Sequence, residues 1–332
     1  MLGVKVSSET FLRVERLSKE FSLKIPWLEA IFKGKKRVVK AVDDVSFYIK
    51  KGETLGIVGE SGSGKTTLGR TVIRLVDPTS GKIVMDGVEL TELKREALRR
   101  ARRDFSIIFQ DPMASLNPYM KAGKIVSHPL EIHNIGTKQE RREKILWLFE
   151  KFNLTPPEEF YNRFPKHLSG GQRQRVVIAR ALITNPKFIV ADEPTAMLDV
   201  SVRSQILKLM IEIKHEFKLT YLFITHDLAS AKYICDRIGV MYLGKIVEIA
   251  KKEDIFKNPL HPYTKILMSS IPIPDPNTKR EKLMPRGEIP SATDIPKGCR
   301  FHTRCPFAKS ICKEEEPRLK DVGGRLVACH LI

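Results

Sequence analysis

The sequence contains no run of 18 or more apolar residues, which excludes a membrane-spanning helix. Its start, Met1–Thr10, lacks a basic region followed by an apolar core, so no signal peptide is expected and the chain is expected to stay in the cytoplasm. Internal repeats and low-complexity segments are missing. Cysteine is scarce: none precedes Cys235, and four of the five fall within the last 34 residues. Acidic residues are also in short supply, 39 against 58 Lys and Arg, leaving a net charge of +19. Such a balance suits an anionic partner: a nucleotide, a nucleic acid or an acidic membrane leaflet. The densest basic run is Lys94–Arg103, where Arg99, Arg100, Arg102 and Arg103 cluster, and it reads first as a solvated helix face. What is present is an ordinary 42% of apolar residues in a chain of 332, enough for a sizeable core in two domains.

Two apolar-alternating runs, Phe11–Leu17 and Val45–Ile49, open the chain, and the basic, irregular stretch Ile25–Lys40 between them reads as an inserted loop. A buried strand is expected over Thr54–Val58 and a helix over Lys65–Val76. Lys82–Met85 reads as a strand leading into an Asp86-Gly87 turn. The charged runs Thr91–Arg103 and Lys138–Lys151 predict a helical subdomain over about residues 91–168. Phe188–Ala191, Tyr221–Thr225 and Ile238–Tyr242 read as buried strands, with an amphipathic helix over Ser201–Phe217. Strands alternating with helices imply an α/β fold built on a parallel sheet. Beyond Lys257 the texture changes: Pro259, Pro262, Pro272, Pro274, Pro276, Pro285, Pro290 and Pro296 exclude a long helix and predict an extended tail that something must hold.

Gly59-Glu60-Ser61-Gly62-Ser63-Gly64-Lys65-Thr66 fits G-x-x-x-x-G-K-S/T between a strand and a helix, the context of a phosphate-binding P-loop. Its glycines let backbone N–H groups wrap phosphates, Lys65 supplies a point charge, and the Thr66 hydroxyl suits Mg²⁺. Thr67 follows at the helix start. Phe188–Glu193 is a Walker B pattern: an apolar strand delivers Asp192 toward Mg²⁺, and Glu193 is placed to polarise water. Adjacent carboxylates after four apolar residues are costly unless they face a cation. Leu168-Ser169-Gly170-Gly171-Gln172, just before a helix over Arg173–Leu182, is a second anion site, because N–H groups and the positive end of the helix dipole point outward there. The cysteines read Cys299-x5-Cys305-x6-Cys312-x16-Cys329. Four thiolates suit a 4Fe–4S cluster or a tetrahedral zinc; the absence of C-x2-C pairs leans away from zinc, His302 and His330 are alternative ligands, and unliganded thiols stay open. Cys235 reads as a buried thiol.

The pentapeptide at Leu168–Gln172, with the P-loop and Walker B pattern, resembles the ATP-binding cassette (ABC) family, over nearly the whole chain. That resemblance implies a RecA-like parallel-sheet core with an antiparallel β subdomain and a helical subdomain, spanning residues 1–257, plus a small cysteine-bearing domain at 258–332. In this family Leu168–Gln172 is the signature that serves the ATP of a partner subunit. Gln110, after the apolar run Ser106–Phe109, would be the Q-loop residue, a Mg²⁺ neighbour that reports nucleotide state to a membrane domain. Glu193 and His226 would be catalytic, His226 as the switch histidine 33 residues after Glu193. Asp199 would belong to the D-loop, where Ala196 and Met197 replace the usual Ser and Ala. Phe21 is the candidate for stacking on adenine, with a core phenylalanine as the alternative.

Gln110-Asp111-Pro112 with Ser115-Leu116-Asn117-Pro118, Asn258–Thr264, and Gly287–Ser291 leading to Gly298–Pro306 are similar to the peptide/nickel-type importers. There the C-terminal region carries a 4Fe–4S cluster, which implies that Cys299, Cys305, Cys312 and Cys329 hold one in a structural capacity. The Gly287–Ser291 element and the basic insertion resemble the second of two paired ATPases. This implies a heterodimer with a related ATPase, two permease subunits and an extracytoplasmic solute-binding protein, with the chain at the cytoplasmic face of the membrane. Peptides are the expected solute, and oligosaccharides the alternative. The charge alone would also suit a DNA-associated ABC ATPase, but those separate the two motifs by very long coiled coils or zinc modules. Here about 100 residues intervene without a heptad seam, so no nucleic acid is expected.

Overall fold

The computed structural model describes residues 9–22, 38–270 and 283–332. In chain order the elements are β1 (Thr10–Ser22), β2 (Val38–Lys50), β3 (Thr54–Val58), α1 (Lys65–Val72), β4 (Ser80–Met85), β5 (Val88–Glu89), α2 (Arg95–Ala101), β6 (Phe105–Ile108), α3 (Pro112–Ser115), α4 (Ala122–Ile132), α5 (Lys138–Lys151) and α6 (Pro157–Asn162). There follow α7 (Gly170–Leu182), β7 (Phe188–Asp192), α8 (Val200–Phe217), β8 (Thr220–Thr225), α9 (Leu228–Ile234), β9 (Arg237–Tyr242), β10 (Lys245–Lys251), α10 (Lys252–Lys257), α11 (Pro262–Ser269), α12 (Ile311–Glu314), β11 (Lys320–Val322) and β12 (Arg325–Val327). The chain divides into two compact units: the described residues of Met1–Lys50, Leu55–Thr91 and Thr225–Ile332, and those of Lys51–Thr54 and Glu92–Ile224.

The first unit contains an antiparallel sheet in the order β2-β1-β4-β5. Alternation buries Leu12 and Val14 of β1 and Val45, Phe47 and Ile49 of β2, and a register shift between Val14 and Leu17 brings Leu17 into the buried set as well. The β4–β5 hairpin turns at Asp86 (φ 48°) and Gly87 (φ 80°), the left-handed pair that a two-residue turn requires. In the same unit β3 pairs in parallel with β9, and β9, β10, β12 and β11 continue as antiparallel neighbours. The proline-rich tail is therefore not extended throughout. It contributes the β11–β12 hairpin to this sheet, and α11 begins with Pro262 in its first turn, where a missing N–H costs no helical bond. Pro272, Pro274 and Pro276 lie outside the described residues, as does the expected insertion except for Val38–Lys40, which are strand.

The second unit holds the parallel strands β6, β7 and β8, with Ile108 beside Ala191 and Asp192 beside Ile224. Phe188–Asp192 is buried at every position, as expected of a strand covered on both faces. Its helices start where capping chemistry dictates. Thr137 and Glu140 form a reciprocal capping box at α5, and Ser169 and Gln172 form another at α7. Helix α8 buries Ile206, Leu209, Met210 and Ile213 along one stripe and stops at Lys218, whose φ is 53°. Expected helix ends differ from the observed ones. The helix from Lys65 stops at Val72, two residues before Arg74 turns left-handed. Thr91–Arg103 breaks into a 3₁₀ turn at Leu90–Glu92 and the helix α2. On α2, Arg99 donates to Glu96 at 2.8 and 3.0 Å, the paired, solvated face expected of that basic run.

Candidate nucleotide site

In the first unit β3 runs into the Gly59–Gly64 loop, and α1 starts at Lys65. Two glycines are sterically obligatory. A Cβ on Gly59 (φ 155°) would lie 2.2 Å from the Met241 carbonyl oxygen, and one on Gly64 (φ 102°) 2.0 Å from that of Ala41. The chain thus turns in contact with strands β9 and β2, leaving exposed Ser61 and Gly62 at the tip and partly exposed Thr66 and Thr67 on the first turn of α1. Lys65 is buried, and its ammonium donates to the carbonyls of Gly59 and Glu60, both at 2.8 Å, and to Ser63 Oγ at 3.4 Å. Its charge is thereby held against the loop, at the end of a helix whose first N–H groups have no intrahelical partner. This cradle fits a polyphosphate. His226, also in this unit, is exposed between β8 and α9; the next residue, Asp227, caps α9 by accepting from Ala229 and Ser230 N–H.

In the second unit Asp192 is fully buried at the end of β7. Glu193 follows with φ 48°, an unfavourable conformation for a non-glycine residue, and its N–H donates to the Ile224 carbonyl at 2.9 Å. Strand adjacency puts Gln110 beside it: Gln110 Nε2 donates to Glu193 Oε2 at 3.1 Å. An amide thus orients the carboxylate expected to activate water, on backbone held in a strained state. Asp111 caps α3 through the Met113 and Ala114 N–H groups.

The pentapeptide sits in the same unit. Leu168 is buried; Ser169 Oγ accepts from Gln172 N–H at 3.3 Å, and Gln172 Oε1 accepts from Ser169 N–H at 2.9 Å. Gly171 presses on α8, since a Cβ there would meet Val202 Cγ1 at 2.7 Å. Nearby in sequence, Met197 and Val200 are 63% and 75% exposed, flanking buried Leu198 and Asp199, the N-cap residue just before α8. Phe21 lies on β1, 40% exposed, with the Lys19 ammonium 5.0 Å from its ring centre. It is therefore a surface ring and not a core phenylalanine.

The structure brings Cys299, Cys305, Cys312 and Cys329 within electrostatic reach of one another in the first unit. Burial, together with the neighbouring thiols, pushes the Cys299 thiol up to about 11, while the Phe301 N–H opposes that shift. Cys305 and Cys329 are also raised by burial, each countered by the N–H of the residue two further on, Phe307 and Leu331. Among the described residues, however, no group of three or more His, Cys, Asp or Glu side chains is placed so as to hold a metal ion. His302 Nδ1 and His330 Nε2 each face a backbone carbonyl, of Cys299 and Glu315, at 2.9 Å, which engages one nitrogen of each alternative ligand. Cys235 is buried as expected, its sulfur 2.6 Å from where a Cβ on Gly56 would sit.

Sequence reasoning missed the residues around these thiols. Arg300, Phe301 and Arg304 are buried, and Phe301 packs on Tyr242 and Tyr263 with ring centres 5.2 Å away in each case. The sequence carries no signal for their burial, since arginine is among the residues least often buried and the carboxylates that accept from these two arginines, Asp43 and Glu60, lie more than 240 positions away.

Residues 42–196 match the ABC transporter family, and residues 247–312 match the oligopeptide/dipeptide transporter C-terminal region. The chain is 49% identical over 329 residues to the oligopeptide transport ATP-binding protein AppF of Bacillus subtilis (strain 168), covering 98% of each chain. It is 51% identical over 302 residues to the putative oligopeptide transport ATP-binding protein YkfD of the same organism, covering 90% of this chain and 91% of that one. Among solved structures it resembles the dimeric ATP-binding cassette MJ0796 in a post-hydrolysis state bound to ADP and Pi, with a TM-score of 0.63 and 32% identity over 73% of this chain and 98% of that one. A second neighbour, cbiO1 from Clostridium perfringens, part of the ABC transporter complex cbiONQ, has a TM-score of 0.63 at 27% identity over 76% of this chain and 92% of that one. The P-loop, the buried Walker B strand and the pentapeptide-capped helix thus stand in a chain that is similar to the two transport ATP-binding proteins over 98% and 90% of its length, and the chain belongs to the ABC transporter family, among the oligopeptide transport ATP-binding proteins.

Proposed function

We propose that this chain is the ATP-hydrolysing subunit of an ABC importer and couples hydrolysis to uptake of oligopeptides or dipeptides. The ATPase activity and the peptide class follow from the family. The residue assignments are our reading, with the Gln110–Glu193 hydrogen bond as the observation that carries it. Gly59, Ser61, Gly62, Ser63, Gly64, Lys65, Thr66 and Thr67 bind the phosphates of ATP, and Phe21 stacks on adenine. Thr66, Gln110 and Asp192 are the oxygen donors suited to Mg²⁺, which, when bound, neutralises developing charge on the β- and γ-phosphates. Glu193 polarises a water molecule whose oxygen attacks the γ-phosphorus in line. The new P–O bond forms as the bond to the β–γ bridging oxygen breaks, giving ADP and phosphate, and the water's proton leaves toward the Glu193 carboxylate. His226 contacts the γ-phosphate and orients the water.

The ATPase domain spans residues 1–257, with the helical subdomain at about 91–168 and the C-terminal domain at 258–332. Leu168–Gln172 serve the ATP of a sister ATPase in a heterodimer, with Asp199 at the shared contact. Exposed Met197 and Val200 suit such a face. Two permease subunits and a solute-binding protein complete the importer, holding this chain at the cytoplasmic face of the membrane. Cys299, Cys305, Cys312 and Cys329 would hold a 4Fe–4S cluster, with zinc as the second reading. What supports this is the donor set: four sulfurs within electrostatic reach of one another, two of them, Cys305 and Cys312, buried, and all of the soft ligand type that suits iron or zinc. Iron near four per chain supports that assignment, and stoichiometric zinc without iron overturns it. For the catalytic assignment, Glu193→Gln in the assembled transporter is expected to lower turnover by about 10²-fold or more while ATP still binds. Unchanged turnover would refute it.

A further inference from the structure

The segment from Cys299 to Cys305 reaches the P-loop by two routes. Arg304, only 6% exposed, forks onto the carboxylate of Glu60, with Nη1 on Oε2 at 2.7 Å and Nη2 on Oε1 at 3.1 Å. Glu60 is the second residue of the P-loop. Its N–H donates to Tyr263 Oη at 2.9 Å, and its carbonyl accepts from Lys65 Nζ at 2.8 Å and Ser63 N–H at 3.3 Å. Every polar group of Glu60 is therefore engaged, two of them by residues more than 200 positions away. The second route starts at Arg300, which donates to the Leu243 carbonyl and to Asp43. Leu243 precedes Gly244, whose N–H donates to the Ser63 carbonyl at 2.8 Å.

We infer that Arg304 is a positioning residue of the nucleotide site: from the cysteine-bearing segment it fixes Glu60, and through the Glu60 carbonyl it aims the Lys65 ammonium. The inference rests on the reading of Gly59–Thr66 as the ATP phosphate loop. A planar fork on a carboxylate fixes direction as well as distance, which a point charge does not. The guanidinium is itself boxed in, 5.8 Å from the Tyr242 ring centre and 5.9 Å from that of Phe301, so the Glu60 side chain is held by a group with little freedom of its own. A cradle whose second residue can swing would leave Lys65 misaligned with the phosphates, and small misplacements of positioning groups weaken binding and catalysis severely.

The test measures equilibrium ATP binding by the full chain, and KM and kcat in the assembled transporter, for wild type, Lys65→Ala, Glu60→Gln, Arg304→Met, Arg304→Lys and the Glu60→Gln/Arg304→Met double variant. Glu60→Gln and Arg304→Met are each expected to weaken ATP binding about tenfold and to raise KM, with the double variant no weaker than the worse single one because both break the same contact. Arg304→Lys should recover part of the loss. A merely structural contact would instead lower the active fraction, reducing apparent kcat at unchanged KM. ATP affinity and KM within about twofold of wild type in both singles, or losses that multiply in the double, overturn the inference. If Arg304→Met fails to fold, Glu60→Gln decides, since it leaves the aromatic cluster intact. Wild-type protein that binds no ATP, or Lys65→Ala that binds it as well as wild type, would instead overturn the P-loop reading.

Discussion

Replacing Gly64 by alanine separates the steric demand of the P-loop from its conformational demand. Gly64 has φ 102° and ψ 2°, where an L-residue is strained by about 1–3 kcal/mol. Its Cβ would stand 2.0 Å from the Ala41 carbonyl oxygen and 3.2 Å from the carbonyl carbon. Relief to the shortest tolerable contact of 3.0 Å needs a shift of 1.0 Å, the difference between the two distances. Ala41 cannot readily give, because it lies in β2, which pairs with β1 on either side of it through Lys40 and Val42. The loop must move instead, and a displacement near 1 Å in a binding cradle costs about 10²-fold. Gly87→Ala is the control: its φ is also positive, 80°, but nothing lies within 4 Å of its Cβ, so only the backbone term applies. Urea unfolding should show a loss of about 1 kcal/mol for Gly87→Ala with unchanged ATP affinity. Gly64→Ala should lose more stability than that, with ATP binding about 100-fold weaker. Equal stability losses in the two variants, with ATP affinity retained in both, would refute the steric argument.

Three further outcomes are expected. Gln110→Ala removes the amide that donates to Glu193 and should lower turnover about tenfold, the worth of one hydrogen bond to a charged group, as read by steady-state ATPase assay; unchanged turnover would show that Glu193 needs no such orientation. Burial holds His261 near 3, against about 6.5 in the unfolded chain, so the unfolded state takes up the proton first as pH falls. Stability should therefore drop by about 2 kcal/mol between pH 7 and pH 5 through this group, and His261→Asn, which can still accept the Tyr263 N–H at the start of α11, should lose that share of the pH dependence; an identical dependence in the variant would count against it. Phe21→Ala should weaken ATP binding by roughly tenfold, as loss of a base-stacking ring does, while leaving the melting temperature almost unchanged because the ring is 40% exposed; calorimetric titration that finds no change removes Phe21 from the site.

The chemistry of the site was legible where one short segment carries it. The P-loop needs its glycines, lysine and threonine within one strand-to-helix turn, and the structure puts them there. The Asp86-Gly87 turn and the strand Phe188–Asp192 were legible for the same reason: each is dictated by φ preference or by burial over a few consecutive residues. Helix ends were less so. Nothing in the composition of Lys65–Val76 says that Arg74 will turn left-handed, and its guanidinium is spent on the carbonyl of Leu90 and the carboxylate of Asp77. Gln110 was readable only by analogy. Its proximity to Glu193 follows from the pairing of β6 with β7, a register that no local pattern fixes.

The tail shows most clearly what a sequence withholds. Its prolines announced that something must hold it, and the change of texture at Lys257 suggested a domain boundary. The fold holds it with β12 on β10 and with Arg300, Phe301 and Arg304 buried against residues of β2, β9 and the P-loop. Arginine is among the residues least often buried, so reading it from sequence assigns it to the surface, and Glu60, its partner, is 244 positions away. Both sides of Lys257 accordingly fall in one compact unit. A cut there would strip Glu60 of its guanidinium and the Tyr242 ring of Phe301, leaving a carboxylate and an aromatic face inside the phosphate loop's own support. The nucleotide-binding half of this chain therefore depends on its cysteine-bearing end for the shape of its P-loop, although the two are continuous neither in sequence nor in composition.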